Sequence, residues 1–193
     1  VVANPTGGNV VDAQCSNMII SSDPHTPTVT NPAGNRPILG VLSGSYNVGT
    51  ANTFTTLTNA VIALNTNGVN GAVTFNLTDA LYSTNETFPV VINQVTGASA
   101  VNTITIKPAG AVTSSITGTA ASIIKLIGAD YVTIDGSNSG GTDRSLSITN
   151  NSIASSSATI WVSSLGTGVG AENNTIKNCI ISAGSNSVTS TFV

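Results

Sequence analysis

Short runs in which apolar and polar residues alternate cover most of this chain, and the clearest case is the stretch 123–136. Ile-Ile-Lys-Leu-Ile at 123–127 and Tyr-Val-Thr-Ile-Asp at 131–135 each predict a short strand. Gly-Ala-Asp at 128–130 predicts a sharp corner between them. A strand, a corner and a second strand make up most of one coil of a parallel β-helix, and we expect the rest of the chain to be organised around this unit.

One segment before these strands has helical periodicity instead. Its apolar residues recur at spacings of three and four: Phe54, Leu57, Val61 and Leu64. They predict a helix at about residues 53–66, with Asn52 or Thr53 as N-cap and Gly68 as the stop. Because a β-helix exposes strand edges and core side chains at its end, we expect this helix to cap one end.

From residue 72 onward, strands of about three to six residues are separated by Gly, Asn and Ser, and no segment after residue 65 has a helical period. Helical crossovers are therefore not predicted, which leaves a solenoid, a sandwich or a barrel. The spacing of similar strands suggests coils of about twenty-odd residues, which favours an all-β solenoid. The Asn-rich corners also favour it, since Asn tolerates left-handed backbone and can stack in amide ladders.

The first 40 residues have a different character, because they hold five of the seven prolines and no sustained periodicity. They predict an extended N-terminal arm over residues 1–40, followed by the β-helix over residues 41–193. His25 also lies in this arm. The alternatives for it are a metal ligand, a catalytic base or an exposed loop histidine. Cys15 in the arm and Cys179 in the body either form a disulfide or remain two unpaired thiols.

The composition narrows the range of partners. Charged residues make up only 7% of the chain against about a quarter in typical proteins, and the net charge is -3. Five Lys and Arg residues are too few for a phosphate-binding patch, so we expect no nucleic-acid partner. No window approaches the roughly 18 apolar residues of a membrane span. Because charged residues are so few, Ser, Thr and Asn must supply most of the polar surface.

Several motifs together resemble a known group of proteins. They are Gly-Ser-Tyr-Asn-Val-Gly at 44–49, Thr-Phe-Thr-Thr-Leu at 53–57, Gly-Ala-Val-Thr-Phe-Asn at 71–76 and Gly-Ala-Asp-Tyr-Val-Thr-Ile-Asp-Gly at 128–136. This pattern, from about Leu42 to the end, resembles large secreted Bacteroidota surface proteins with right-handed parallel β-helix (pectin-lyase-like) domains. The resemblance implies export by type IX secretion and an extracellular, cell-surface location. Because no C-terminal sorting domain follows, we expect a fragment of a longer chain, or an end covered by another subunit.

The resemblance also raises polysaccharide cleavage, which uses clustered carboxylates, calcium and a basic residue. The candidates are Asp130, Asp135, Asp143, Lys125, Arg144, Glu172 and Lys177. We expect Asp135 to align with Lys177, and Asp130 with Glu172, on neighbouring coils. These residue types also suit ordinary turns, so we predict no catalytic residues. Asp135 and Asp143 are the predicted ligands of a Ca²⁺ site, with a flexible Gly/Ser loop as the alternative.

Two surface features are candidates for ligand binding. If Ile160 and Val162 point inward, Trp161 points outward as a sugar-stacking platform or an interface anchor, unless the loop 152–157 covers it. Thr-rich strands such as the one around Thr105 suggest an ice-binding face, but the sequence indicates a regular threonine pattern on one coil only.

These observations predict a non-enzymatic extracellular structural or adhesive protein, built as a rigid β-helical rod. The rod would present a binding face to surface glycans, or assemble with other copies as an oligomer or filament. The alternative function is a polysaccharide-active or carbohydrate-binding module, and a third is a passive spacer.

Overall fold

The chain divides into two compact units, Val1–Leu39 and Gly40–Val193. The computed structural model describes residues 40–183 and, in the first unit, the short strands β1 (Ile19–Ile20) and β2 (Val29–Thr30). β1 pairs with β2 in antiparallel fashion. Most of the predicted N-terminal arm, including Cys15 and His25, lies outside the described residues.

The second unit is a parallel β-helix of about four turns with one helix, α1 (Leu57–Asn67). Its strands in chain order are β3 (Leu42–Val48), β4 (Val69–Leu77), β5 (Leu81–Tyr82), β6 (Val90–Asn93), β7 (Ile104–Pro108), β8 (Ser114–Gly118), β9 (Ser122–Ile127), β10 (Val132–Asp135), β11 (Leu146–Asn150), β12 (Ala158–Ser163), β13 (Thr175–Lys177) and β14 (Cys179–Ala183). The first sheet stacks β3, β4, β7, β10 and β13; the second stacks β5, β8, β11 and β14; the third stacks β6, β9 and β12. The all-β solenoid prediction is confirmed.

The core consists of columns of apolar side chains that run along the solenoid axis. In the first sheet, Phe75 pairs with Ile106, and Ile106 with Ile134, and all three are fully buried. In the third sheet, Ile92 pairs with Leu126. Since successive strand residues point to opposite faces, the alternation in each strand sends one set of side chains into the core and the other to the surface.

The coils are longer than predicted. The register of the first sheet pairs Thr74 with Thr105, Thr105 with Thr133, and Thr133 with Thr175. Successive coils therefore advance by 31, 28 and 42 residues, so only one of the three falls within the predicted twenty-odd residues. The interval between similar strands in sequence was misleading because each coil contains strands from all three sheets, and the loops between them differ in length.

The predicted helix is present, although its start was wrong. Thr56 is the N-cap, and its side chain accepts a hydrogen bond from the Asn59 N–H at 3.0 Å, whereas Asn52 and Thr53 lie further upstream. Gly68 ends the helix, as predicted, with a positive φ of 67°, and its N–H donates to the Leu64 carbonyl. The apolar stripe of the helix is buried, including Leu57, Val61 and Leu64. Burial of this stripe makes α1 part of the core, as a cap requires.

A carboxylate from the following coil holds the start of α1. Glu86 accepts hydrogen bonds from the backbone N–H groups of Leu57 and Thr58, each at 2.7 Å, and from the Thr58 hydroxyl. The first N–H groups of a helix have no partner within the helix, and a negative charge is favourable beside them. Glu86 thus fastens the helix to the solenoid.

The corner between β9 and β10 follows the predicted Gly-Ala-Asp sequence, with one difference. Tyr131 has φ 58° and lies in the corner, so β10 begins at Val132. The next corner allows little space: a Cβ added at Gly136 would lie 1.8 Å from the Asn178 carbonyl oxygen of the following coil. Glycine is required there because the backbones of two coils nearly touch.

Several asparagines of the described coils bond to backbone groups at or near the corners. Asn173 and Asn178 adopt left-handed backbone, as predicted. The fully buried Asn150 donates to the carbonyls of Ala120 at 2.9 Å and Ala158 at 2.8 Å. A buried amide that pairs with backbone in this way satisfies groups that would otherwise be costly to bury.

Candidate binding faces

A continuous rank of hydroxyl side chains runs along the outer surface of the first sheet. We call it the hydroxyl rank, and its members are Ser45, Thr74, Thr105, Thr133 and Thr175. Each member pairs in register with the next, so the hydroxyls recur at the strand spacing of about 4.8 Å. The expectation of a regular threonine pattern on one coil only was wrong, because the aligned threonines are 28 to 42 residues apart in sequence.

The next outward positions of the same sheet are less uniform. Asn47 pairs with Asn76, and Asn76 with Lys107. Further along, Asp135 pairs with Lys177 and forms a salt bridge of 3.2 Å between Lys177 Nζ and Asp135 Oδ2. The hydroxyl rank is therefore bordered by amides at one end of the sheet and by alternating charges at the other.

Trp161 is the main aromatic feature of the third sheet. Its side chain is 40% exposed, so the loop 152–157 does not cover it fully. It pairs in register with Lys125, whose Nζ lies 4.7 Å from the ring centroid. A cation over an indole face is attracted to the ring, which holds both side chains in place. Ile160 is buried as expected, but Val162 is 50% exposed.

The two predicted calcium ligands belong to one loop, and both are engaged by donors from the protein. Asp143 accepts hydrogen bonds from the hydroxyls of Ser137, Ser139 and Ser145 and from the Asn138 N–H. These bonds hold the pKa of Asp143 far below its usual range. The carboxylate thus organises a Ser-rich loop, which is a structural role that needs no ion.

Asp135 is held separately. Burial favours its neutral form, but hydrogen bonds from the Asn178 amide and the Ser137 N–H, together with Lys177, lower its pKa overall. Ser137 therefore contacts both carboxylates, through its N–H to Asp135 and its hydroxyl to Asp143. Within residues 40–183, no three His, Cys, Asp or Glu side chains converge as a metal site would require. Calcium at these two residues remains a prediction.

The other polar candidates are distributed over several coils. The alignments predicted for Asp135 with Lys177 and for Asp130 with Glu172 are both present, since Asp130 Oδ1 accepts the Glu172 N–H at 2.6 Å. Asp130 therefore supports a coil-to-coil contact. Arg144 is exposed and lies in the loop that precedes β11. Asp130 and Asp135 thus each make a contact between neighbouring coils.

Cys179 begins β14 as a half-buried thiol with no disulfide partner among the described residues, and burial raises its pKa to about 11. A thiol with so high a pKa is a poor nucleophile at neutral pH. The disulfide to Cys15 remains a prediction, because Cys15 lies outside the described residues.

A small pocket of about 290 Å³ opens at the corner where β6 ends. Its lining residues are Gln94, Val95, Thr96, Gly97, Ala98 and Asp130. Apart from Asp130, the lining has no ionisable side chain, and the Asp130 carboxylate already holds a backbone N–H. The pocket lacks the convergent polar groups that define a reaction site.

Sequence inspection missed two structural residues, Glu86 and Asn65, which tie α1 to the coil that follows. The only signal for them was their position: Glu86 follows a Thr/Ser turn, and Asn65 lies in the last turn of the predicted helix.

Among the described segments, no helix is long and apolar enough to cross a membrane.

Comparison with known proteins adds no relative: no family model, no curated protein and no solved structure matches the chain.

Proposed function

We propose that the protein is a non-enzymatic, extracellular structural or adhesive surface protein, whose β-helix is a rigid rod that presents a polar binding face. The hydroxyl rank carries this proposal. Its five members lie in register on five parallel strands, so they form a regular array on the β-helix. Location at the cell surface and export by type IX secretion rest on the sequence resemblance.

Such an array suits weak, repeated contacts. A single hydroxyl hydrogen bond contributes little in water, about 1 kcal/mol. Several hydroxyls at fixed spacing bind a repetitive ligand together, because the first contact raises the effective concentration of the others. Surface glycans offer such repeated hydroxyl and ring-oxygen partners.

Contacts with other copies or domains have separate support. Val162 and Ile176 occupy inward-facing positions in register with the buried Leu126 and Ile134, yet they are 50% and 40% exposed. Apolar groups at such positions are stabilised by contact with a further β-coil. Negative-stain imaging with light scattering on the purified chain tests assembly: oligomers or filaments support it, and a monomer at high concentration counts against it.

The adhesive face is tested by placing charge on the hydroxyl rank. Thr105→Lys with Thr133→Lys puts two cations at adjacent positions of the first sheet. Thr117→Lys with Thr149→Lys is a matched control, because these threonines are paired neighbours with similar exposure on the second sheet. We expect only the first variant to lose retention on a glycan array. Equal loss, or equal retention, in both variants would remove the hydroxyl rank as the binding face.

A carbohydrate-binding module is the second candidate, and the exposed Trp161 favours it. An aromatic ring held by Lys125 offers a fixed surface for the apolar face of a sugar. We expect Trp161→Ala to abolish binding of an array ligand that the hydroxyl-rank variant still binds. Val101→Ala, at a residue 79% exposed elsewhere, is the control.

A further inference from the structure

The strand β6 lies at the edge of the third sheet, and α1 rather than another strand lies beside it. The order of that sheet is β12, β9, β6. β6 has the sequence Val-Val-Ile-Asn, with no charge and no proline. An edge strand of this composition is a template for pairing with any extended segment.

One side chain of α1 occupies this edge. The Asn65 amide donates from Nδ2 to the Val91 carbonyl at 2.8 Å, and Asn65 Oδ1 accepts the Asn93 N–H at 3.0 Å. In a parallel sheet, one residue of a strand bonds in the same way, to the carbonyl before and the N–H after the residue it faces. The Asn65 carboxamide therefore replaces one residue of a parallel neighbour, centred on Ile92.

We infer that Asn65 is an edge plug: it occupies the hydrogen-bonding groups of β6 that a strand from a second copy would otherwise pair with. The plug works because α1 is fixed in place by the Glu86 contact at its other end and by its buried stripe. The β6 edge is thus an interaction surface for an extended strand, and in this fold it is closed by α1.

The plug makes a prediction that a purely stabilising contact does not. Asn65→Ala leaves the Val91 carbonyl and the Asn93 N–H without their partner, so hydrogen exchange at Asn93 should become about tenfold faster. The variant should also form concentration-dependent oligomers that bind thioflavin T under conditions in which the wild-type chain does not. Asn65→Asp keeps the acceptor for Asn93 and loses the donor to Val91, so we expect slower exchange at Asn93 than in Asn65→Ala.

Two control variants separate the plug from general stability. Thr66 is in the same helical turn, and its hydroxyl bonds to the Ile62 carbonyl rather than to β6. Thr66→Ala tests loss of a neighbouring side chain, and Thr66→Gly destabilises the helix without touching β6. Oligomers in Asn65→Ala alone support the edge plug. Equal assembly in Thr66→Gly, or unchanged Asn93 exchange and a wild-type oligomeric state in Asn65→Ala, overturns it. If Asn65→Ala fails to fold, Asn65→Asp takes its place. More assembly in Asn65→Asp than in Thr66→Gly then supports the edge plug, and equal assembly in the two variants overturns it.

Discussion

Apolar core residues are buried at one end of the described solenoid and partly exposed at the other. At the N-terminal end, α1 lies against the first coils, and Leu57 and Leu64 are fully buried. In the last described coil, Ile176 continues the column of Ile134 and Ile106, yet it is 40% exposed while they are fully buried. The position of a coil in the stack, and not the residue type, therefore decides how much of an apolar side chain is buried and how much it stabilises the fold.

The difference extends to the strand edges. Beside β6, Asn65 and α1 occupy the backbone groups of the edge. On β3, at the same end, the pairing with β4 shifts register between Leu42 and Gly44, and Gly44 has φ 83°. Such an irregularity disrupts the edge for further pairing. β13 and β14 pair with β10 and β11 in unbroken register. At the N-terminal end, the edges of the first and third sheets are thus irregular or occupied, whereas β13 and β14 retain the regular geometry of the coils.

The largest expected effect contrasts the truncation of a buried side chain in the cap helix with one in a core column. Leu64→Ala removes a fully buried side chain from the cap and should lower the free energy of unfolding by about 2–5 kcal/mol. Ile176→Ala removes a side chain that is already 40% exposed and should cost about 1 kcal/mol or less. Urea unfolding followed by circular dichroism measures both. Losses of equal size would mean that the two ends are equally buried in solution.

Removing a carboxylate near either end should have a smaller effect on the free energy of unfolding. Glu86→Ala removes the acceptor for two helical N–H groups and the Thr58 hydroxyl, which should cost about 1.5–3 kcal/mol. Glu172 is exposed near the last coil, so Glu172→Ala should change stability by about 0.5 kcal/mol or less. The same urea experiment compares the two variants. A Glu172 effect as large as that of Glu86 would show that the helix contact is not the stronger anchor.

The smallest effect on stability should come from Asp143, and it should appear only at acid pH. The pKa of Asp143 is lower in the folded chain than in the unfolded chain, because four donors bind its charged form. Its stabilising contribution is therefore complete above the ordinary carboxyl pKa of about 4, and is lost as pH falls below that value. Thermal unfolding from pH 6 to pH 3 should show a shallower decline for Asp143→Asn than for wild type. Parallel curves would mean that the bonds to Asp143 do not persist in solution.

Local pattern was enough to predict much of the fold. Alternation in segments such as 103–107 marked strands, and the stripe through Leu57 and Leu64 marked the helix, because both periods follow from backbone geometry. Gly68 was recognised as the helix stop, and its positive φ is a conformation that favours glycine. The helix start was misplaced because several threonines and an asparagine precede it, and only contacts in the fold select Thr56.

The candidate faces depended far more on the tertiary structure. Trp161 could be assigned to the surface from its apolar neighbours, but its contact with Lys125 joins residues 36 positions apart. The hydroxyl rank joins threonines whose separation changes from coil to coil, so no fixed sequence period reveals it. Glu86 and Asn65 are ordinary polar residues until the fold brings them to a helix end and a strand edge.

What the sequence determined by itself is the local conformation: short strands, Gly and Asn corners, one amphipathic helix and a surface with little charge. What only the tertiary structure decided is register, and with it the side chains that share a column, a face or an edge. The physical reason is that alternation fixes which face a residue occupies, whereas loop lengths and contacts between coils fix its neighbours.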